Sequence, residues 1–116
     1  MAQERLTSFR EFWPYYLREH ARPQTRTLHY IGTFLVIGIA VAALVTRTWW
    51  LFAMLPVPGY GFAWVAHFFV EHNRPATFTY PLWSLASDFR MWWFWLTGRM
   101  GRELERAGVS QTPRAT

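Results

Sequence analysis

Residues 27–70 read TLHYIGTFLVIGIAVAALVTRTWWLFAMLPVPGYGFAWVAHFFV, and the reading of this stretch decides the fold. Thr27–Thr46 is twenty residues without a formal charge, with IGTFLVIGIAVAALV as its apolar heart. At 1.5 Å of rise per residue it covers about 30 Å, one hydrocarbon thickness. Arg47 interrupts. Thr48–Val70 then adds twenty-three more uncharged residues, broken near the middle by Pro56-Val57-Pro58-Gly59. One arginine between two such runs reads as the tip of a transmembrane hairpin. The soluble alternative, two buried core helices, needs a larger amphipathic shell than 116 residues supply. The expected fold is all-α: a small integral membrane helical bundle whose hairpin is flanked by interfacial amphipathic helices. It forms a single membrane-embedded domain over residues 1–108, with 109–116 as a disordered tail.

Outward from the hairpin, the flanks read as helices. Ser8-Phe9-Arg10-Glu11 matches a capping box. Phe9, Phe12, Trp13, Tyr16 and Leu17 follow as an apolar stripe at helical spacing. Pro14 should kink this helix or restart it. So short and aromatic a helix is a candidate for lying in the membrane interface. Its last turn delivers His20, and Pro23 breaks it. On the far side, Thr79-Tyr80-Pro81 starts a helix with Pro81 in its first turn, running to about Gly98. Trp83, Trp92, Trp93 and Trp95 suit the headgroup level, with Asp88 and Arg90 as interfacial charges. Arg99–Arg106 reads as a polar helical extension.

Apolar content of 52% and aromatic content of 20%, with eight Trp, is too rich for an ordinary soluble surface. The absence of Cys excludes disulfide frameworks, thiolate metal sites and cysteine nucleophiles. A net charge of +5 invites a nucleic-acid reading, but the arginines are scattered outside the apolar runs and no binding motif accompanies them. A basic rim beside an apolar body fits anionic membrane lipids better. The N-terminal residues do not read as a signal peptide. Eleven arginines lie on the side of the termini, against Arg47 alone at the tip. The positive-inside rule therefore places both termini in the cytoplasm.

The chemistry-bearing residues gather at the same face. Trp64–Ala76, WVAHFFVEHNRPA, ends the second span in His67, Glu71 and His72. If this segment is α-helical, His67 and Glu71 stand about 40° apart on one face, where an imidazole and a carboxylate can share one divalent cation. His72, about 140° round, is harder to include. His29 lies at the start of the first span and His67 near the end of the second, so an antiparallel pair makes them neighbours. His20 precedes His29 by nine residues across a Pro-containing turn. Neutral imidazoles with a carboxylate and no sulfur suit Fe(II), Zn or Mn. Two other readings use the same residues: a non-enzymatic small membrane subunit or transporter with proton-relay histidines, or a haem-binding membrane protein with two axial histidines.

His20-x4-Thr25-x3-His29-x2-Gly32 and His67-x3-Glu71-x3-Pro75-Ala76, one at each end of a membrane hairpin, resemble the Mpo-like family of membrane-bound, Fe(II)-dependent 2-hydroxy fatty acid dioxygenases. Phe12-Trp13-Pro14-Tyr15-Tyr16-Leu17 and Tyr80-Pro81-Leu82-Trp83-Ser84-Leu85 are typical of its bacterial branch. The likeness covers about residues 9–100. Thr25 stands where the family often has Asn, and His72 where many members have another residue. The resemblance implies His20, His29, His67 and Glu71 as metal ligands, with Glu71 and Arg74 as catalytic residues. It implies Fe(II) as cofactor and O2 as co-substrate. The implied reaction shortens a 2-hydroxy fatty acid by one carbon at the cytoplasmic face of a bacterial inner membrane. The acyl tail is expected among Phe34, Trp64 and Phe68, with Arg26 or Arg74 pairing the carboxylate. No oligomeric state follows.

Overall fold

The computed structural model describes residues 5–109, and among these every regular element is helical. The elements are α1 (Phe9–Arg18), α2 (Pro23–Thr46), a 3-10 segment (Trp49–Met54), α3 (Pro56–Val65), a π-helical segment (Ala66–Glu71), a short 3-10 turn (Ala76–Phe78), α4 (Pro81–Leu96) and α5 (Met100–Ala107). The described residues form two compact units, Arg22–Pro75 on one hand and residues 5–21 with 76–109 on the other. The tail assigned above to 109–116 lies, beyond Val109, outside the described residues.

The Arg22–Pro75 unit is the hairpin. Pro23 opens α2 at a position where its missing N–H costs nothing. Arg47 ends it in the left-handed conformation, φ 54°, and Thr48 N–H returns to the Ala43 carbonyl. The second limb changes helix type twice. Trp49–Met54 winds as a 3-10 helix up to Leu55, where Pro56 starts the α-helical portion, so the proline pair marks a change of winding rather than an end. Both limbs, Pro23–Thr46 and Trp49–Glu71, are long and apolar enough to cross a membrane. They close tightly at one point: a Cβ added to Gly32 would stand 2.7 Å from the Pro58 carbonyl oxygen. Only a residue without a side chain lets the backbones approach this far.

In the other unit, Ser8 caps α1 by accepting the Glu11 N–H. The return arm of the box slips by one residue, because the Glu11 carboxylate accepts from Thr7 N–H at 3.3 Å. Pro14 is carried inside α1 without restarting it. The stripe foreseen as membrane-facing is core instead: Phe12, Tyr16 and Leu17 are fully buried. Phe12 packs on the rings of Tyr80 and Trp83, with centroids 5.2 and 5.7 Å away. Trp83 is thereby a packing residue. Trp13 donates to the Glu103 carboxylate at 2.9 Å, joining α1 to α5. The charges in mid-α4 are also used. Asp88 accepts from the Tyr16 hydroxyl, and the Arg90 guanidinium lies 4.8 Å from the centroids of Trp13 and Phe94. α4 itself is polarised in reverse. Ser84, Ser87 and Met91 face inward, while Leu82, Leu85, Phe89, Trp93 and Leu96 are exposed along one helical stripe.

Candidate metal centre

His20, His29 and His67 are all buried, and each offers a ring nitrogen within 4.8 Å of the other two. The His29 and His67 rings meet edge to face with centroids 5.1 Å apart. Two imidazoles on one ion at about 2.1 Å have nitrogens about 3.0–3.4 Å apart, so the three rings stand on the scale of a shared site.

Each ring is oriented by its other nitrogen. His20 Nδ1 lies 2.6 Å from the Tyr16 carbonyl oxygen and His29 Nδ1 lies 2.9 Å from that of Thr25. A carbonyl oxygen only accepts, so both Nδ1 atoms carry the proton, and in the neutral rings both Nε2 atoms keep a lone pair. His67 Nδ1 pairs with Asn73 Oδ1 at 2.7 Å, which gives it the same tautomer. His20 and His29 reach back four residues along the chain, an arrangement that local helical geometry supplies. The Tyr16 ring adds a face to the His20 imidazole, with centroids 4.1 Å apart. Three neutral imidazoles presenting lone pairs, with no sulfur among them, are donors that fit Fe(II), Zn or Mn.

The His67 end departs from the α-helix expected from the sequence. Ala66–Glu71 has π-helical bonding, and both His72 and Asn73 donate their N–H to the His67 carbonyl, Asn73 at 2.8 Å. In an α-helix four residues overshoot a full turn by about 40°. In the wider ladder they fall short of one, so Glu71 swings to the other side of the line through His67. Its Oε1 accepts from Arg22 N–H and from the Thr25 hydroxyl, at 2.5 and 2.9 Å. The group of convergent donors comprises the three histidines, and Glu71 is not among them. His72, at φ 60°, is the left-handed residue that ends the π-helical segment, and it is exposed.

The two arginines differ sharply. Arg74 is exposed, whereas Arg26 is buried one turn from His29 and its side chain hydrogen-bonds Tyr30. Asn73 is the site residue that spacing alone did not single out. Six positions after His67, it returns to that ring through a π turn followed by the left-handed His72.

Comparisons with curated proteins and with solved structures returned no match. The family model described as 2-hydroxy-palmitic acid dioxygenase Mpo1-like matches residues 6–100, which include all three histidines, Thr25, Glu71 and Asn73, and the chain belongs to that family.

Proposed function

We propose that this protein is a membrane-embedded, non-haem Fe(II) dioxygenase that shortens 2-hydroxy fatty acids by one carbon. The observation that carries the reading is the convergence of three buried imidazoles, each with Nδ1 engaged by an acceptor. His20, His29 and His67 would hold the iron through Nε2. Bound there, Fe(II) would supply Lewis acidity toward the substrate's hydroxyl and carboxylate oxygens and a place for O2.

The chain supplies positioning and exclusion. Tyr16 and Thr25, through their carbonyls, and Asn73, through its amide, keep the three Nδ1 protons in place and the rings aimed. Arg26 is the stronger candidate for the substrate carboxylate, because a guanidinium in a buried setting attracts an anion more than the exposed Arg74 does. Phe34, Trp64 and Phe68 present apolar surface along the hairpin for the acyl tail. Holding reactive atoms in fixed geometry in a dry site is where most of the barrier lowering would come from.

The membrane reading is supported by how little of the two long helices is covered. Only 28% and 17% of their apolar windows are buried. Core helices of a soluble protein are mostly enclosed, so these surfaces suit acyl chains. The stripe Leu82, Leu85, Phe89, Trp93 and Leu96 suits α4 to lie in the same bilayer's interface. The arginine count favours a cytoplasmic position for the termini and the histidines.

The test is anaerobic loading with Fe(II), addition of 2-hydroxypalmitate, then air. The expected result is oxygen uptake with formation of the fifteen-carbon acid, lost in His67→Ala. Iron-loaded protein that consumes no oxygen and leaves substrate intact refutes the reading, and a Soret band would point to haem instead.

A further inference from the structure

We infer that Glu71 is a positioning residue, which caps α2 from the opposite limb of the hairpin and so fixes His29 relative to His67. The consequence for metal rests on the reading above, whereas the cap does not. α2 has no cap of its own: Arg22 occupies the N-cap position without a side-chain bond, and Pro23 follows. The first N–H groups of a helix have no partner within it, and its N-terminus carries about half a positive charge. A carboxylate is the group best suited to both deficits. Glu71 delivers one from 49 residues away, accepting from the Arg22 N–H and the Thr25 hydroxyl through Oε1.

Thr25 makes the cap matter to the site. Its hydroxyl is held by Glu71 while its carbonyl holds the His29 Nδ1 proton. At the other end, Glu71 and His67 belong to the same π-helical segment, Ala66–Glu71. A continuous path of bonds thus runs from His29 through Thr25 and Glu71 to His67, all of it within Arg22–Pro75. The π winding has a use in this light: it turns the Glu71 side chain toward the start of α2 and leaves the inward direction to His67.

Hydrogen–deuterium exchange on the metal-free full chain in detergent reads the cap directly. Glu71→Ala should speed exchange of the Arg22 and first-turn α2 amides about 5- to 30-fold. Glu71→Gln, which still presents an acceptor oxygen, should change it less than about 3-fold. Thr25→Val removes one of the two donors without touching the carboxylate and should give an intermediate effect, so the idea stays testable if Glu71→Ala does not fold. With Co(II) as probe, Glu71→Gln should keep the wild-type visible bands, and Glu71→Ala should bind about 10-fold more weakly. Exchange unchanged in both Glu71→Ala and Thr25→Val overturns the proposal. So do Co(II) bands displaced by Glu71→Gln, which would make the carboxylate a ligand. Faster exchange in Glu71→Ala with no Co(II) bound by the wild-type chain supports the cap while refuting the metal centre.

Discussion

An alanine at position 32 puts the tight closure of the hairpin to the test. The new Cβ would meet the Pro58 carbonyl oxygen at 2.7 Å and Phe62 Cβ at 3.4 Å. Ordinary contact requires the first distance to open by about 0.7 Å or more. The obstacle is backbone, so no side chain can swing aside and the two limbs must part. Two effects then compete. Overpacking of this kind costs about 1–3 kcal/mol, and replacing a mid-helix glycine by alanine returns up to about 1 kcal/mol of helix propensity. The steric term should win, for a net loss of roughly 0–3 kcal/mol.

The larger effect falls on the histidines. His29 stands one turn before Gly32 on α2, and His67 follows Phe62 on the facing limb, so a wedge at Gly32 pushes apart rings whose centroids are 5.1 Å from each other. Shifts approaching 1 Å at a reacting centre can cost about 100-fold in rate. Metal affinity should fall about 10-fold or more. Gly38→Ala is the control, because a Cβ there meets nothing within 4 Å. It should stabilise α2 by about 0.5–1 kcal/mol and leave metal binding unchanged. Thermal unfolding in detergent and titration with Co(II) read both variants. If Gly32→Ala tracks Gly38→Ala in both assays, the close crossing does not set the site.

Three further outcomes follow from particular contacts. Asn73→Leu should lower metal affinity about 10- to 100-fold in the same titration, while Asn73→Asp, which retains an acceptor for the His67 Nδ1 proton, should lose far less. Tyr16→Phe removes the hydroxyl that Asp88 accepts, leaving a half-buried carboxylate without that donor, and should cost about 1.5–3 kcal/mol in unfolding. Chelation should abolish oxygen uptake on 2-hydroxy acid, and Fe(II) should restore it where Zn does not, measured with an oxygen electrode.

The hairpin was legible because its signal is one of composition and length: two charge-free runs with one arginine between them need no neighbour to be read. The pairing of His29 with His67 was legible one step later, since an antiparallel pair of limbs leaves little choice about which ends meet, whereas His20 was read only from its place nine residues before His29. What the linear pattern could not supply was the partner of each face. The periodicity of Phe9, Phe12, Trp13, Tyr16 and Leu17 marked an apolar stripe without saying what covers it, because a lipid interface and the flank of α4 select the same residues. Only the fold shows that Phe12, Trp13, Tyr16 and Leu17 are core and that Phe9 is half-buried. Asp88 and Arg90 stood out as charges in an aromatic helix, yet their use depends on Tyr16 and Trp13, more than seventy residues away.

The same limit explains Glu71. An i, i+4 pairing with His67 holds for 3.6 residues per turn and for no other winding. Neither an acid nor a histidine has a side-chain preference that announces a π turn, so the sequence alone presents His67 and Glu71 as an α-helical pair. The π winding is accompanied by the contact of Glu71 with the start of α2 and by the return of Asn73 to His67, and these contacts are tertiary or cross a left-handed residue. Spacing identifies which residues can do chemistry, but the number of residues per turn decides which of them face the same point. At this site that number changes between Val65 and Ala66, just before the six residues that carry His67 and Glu71.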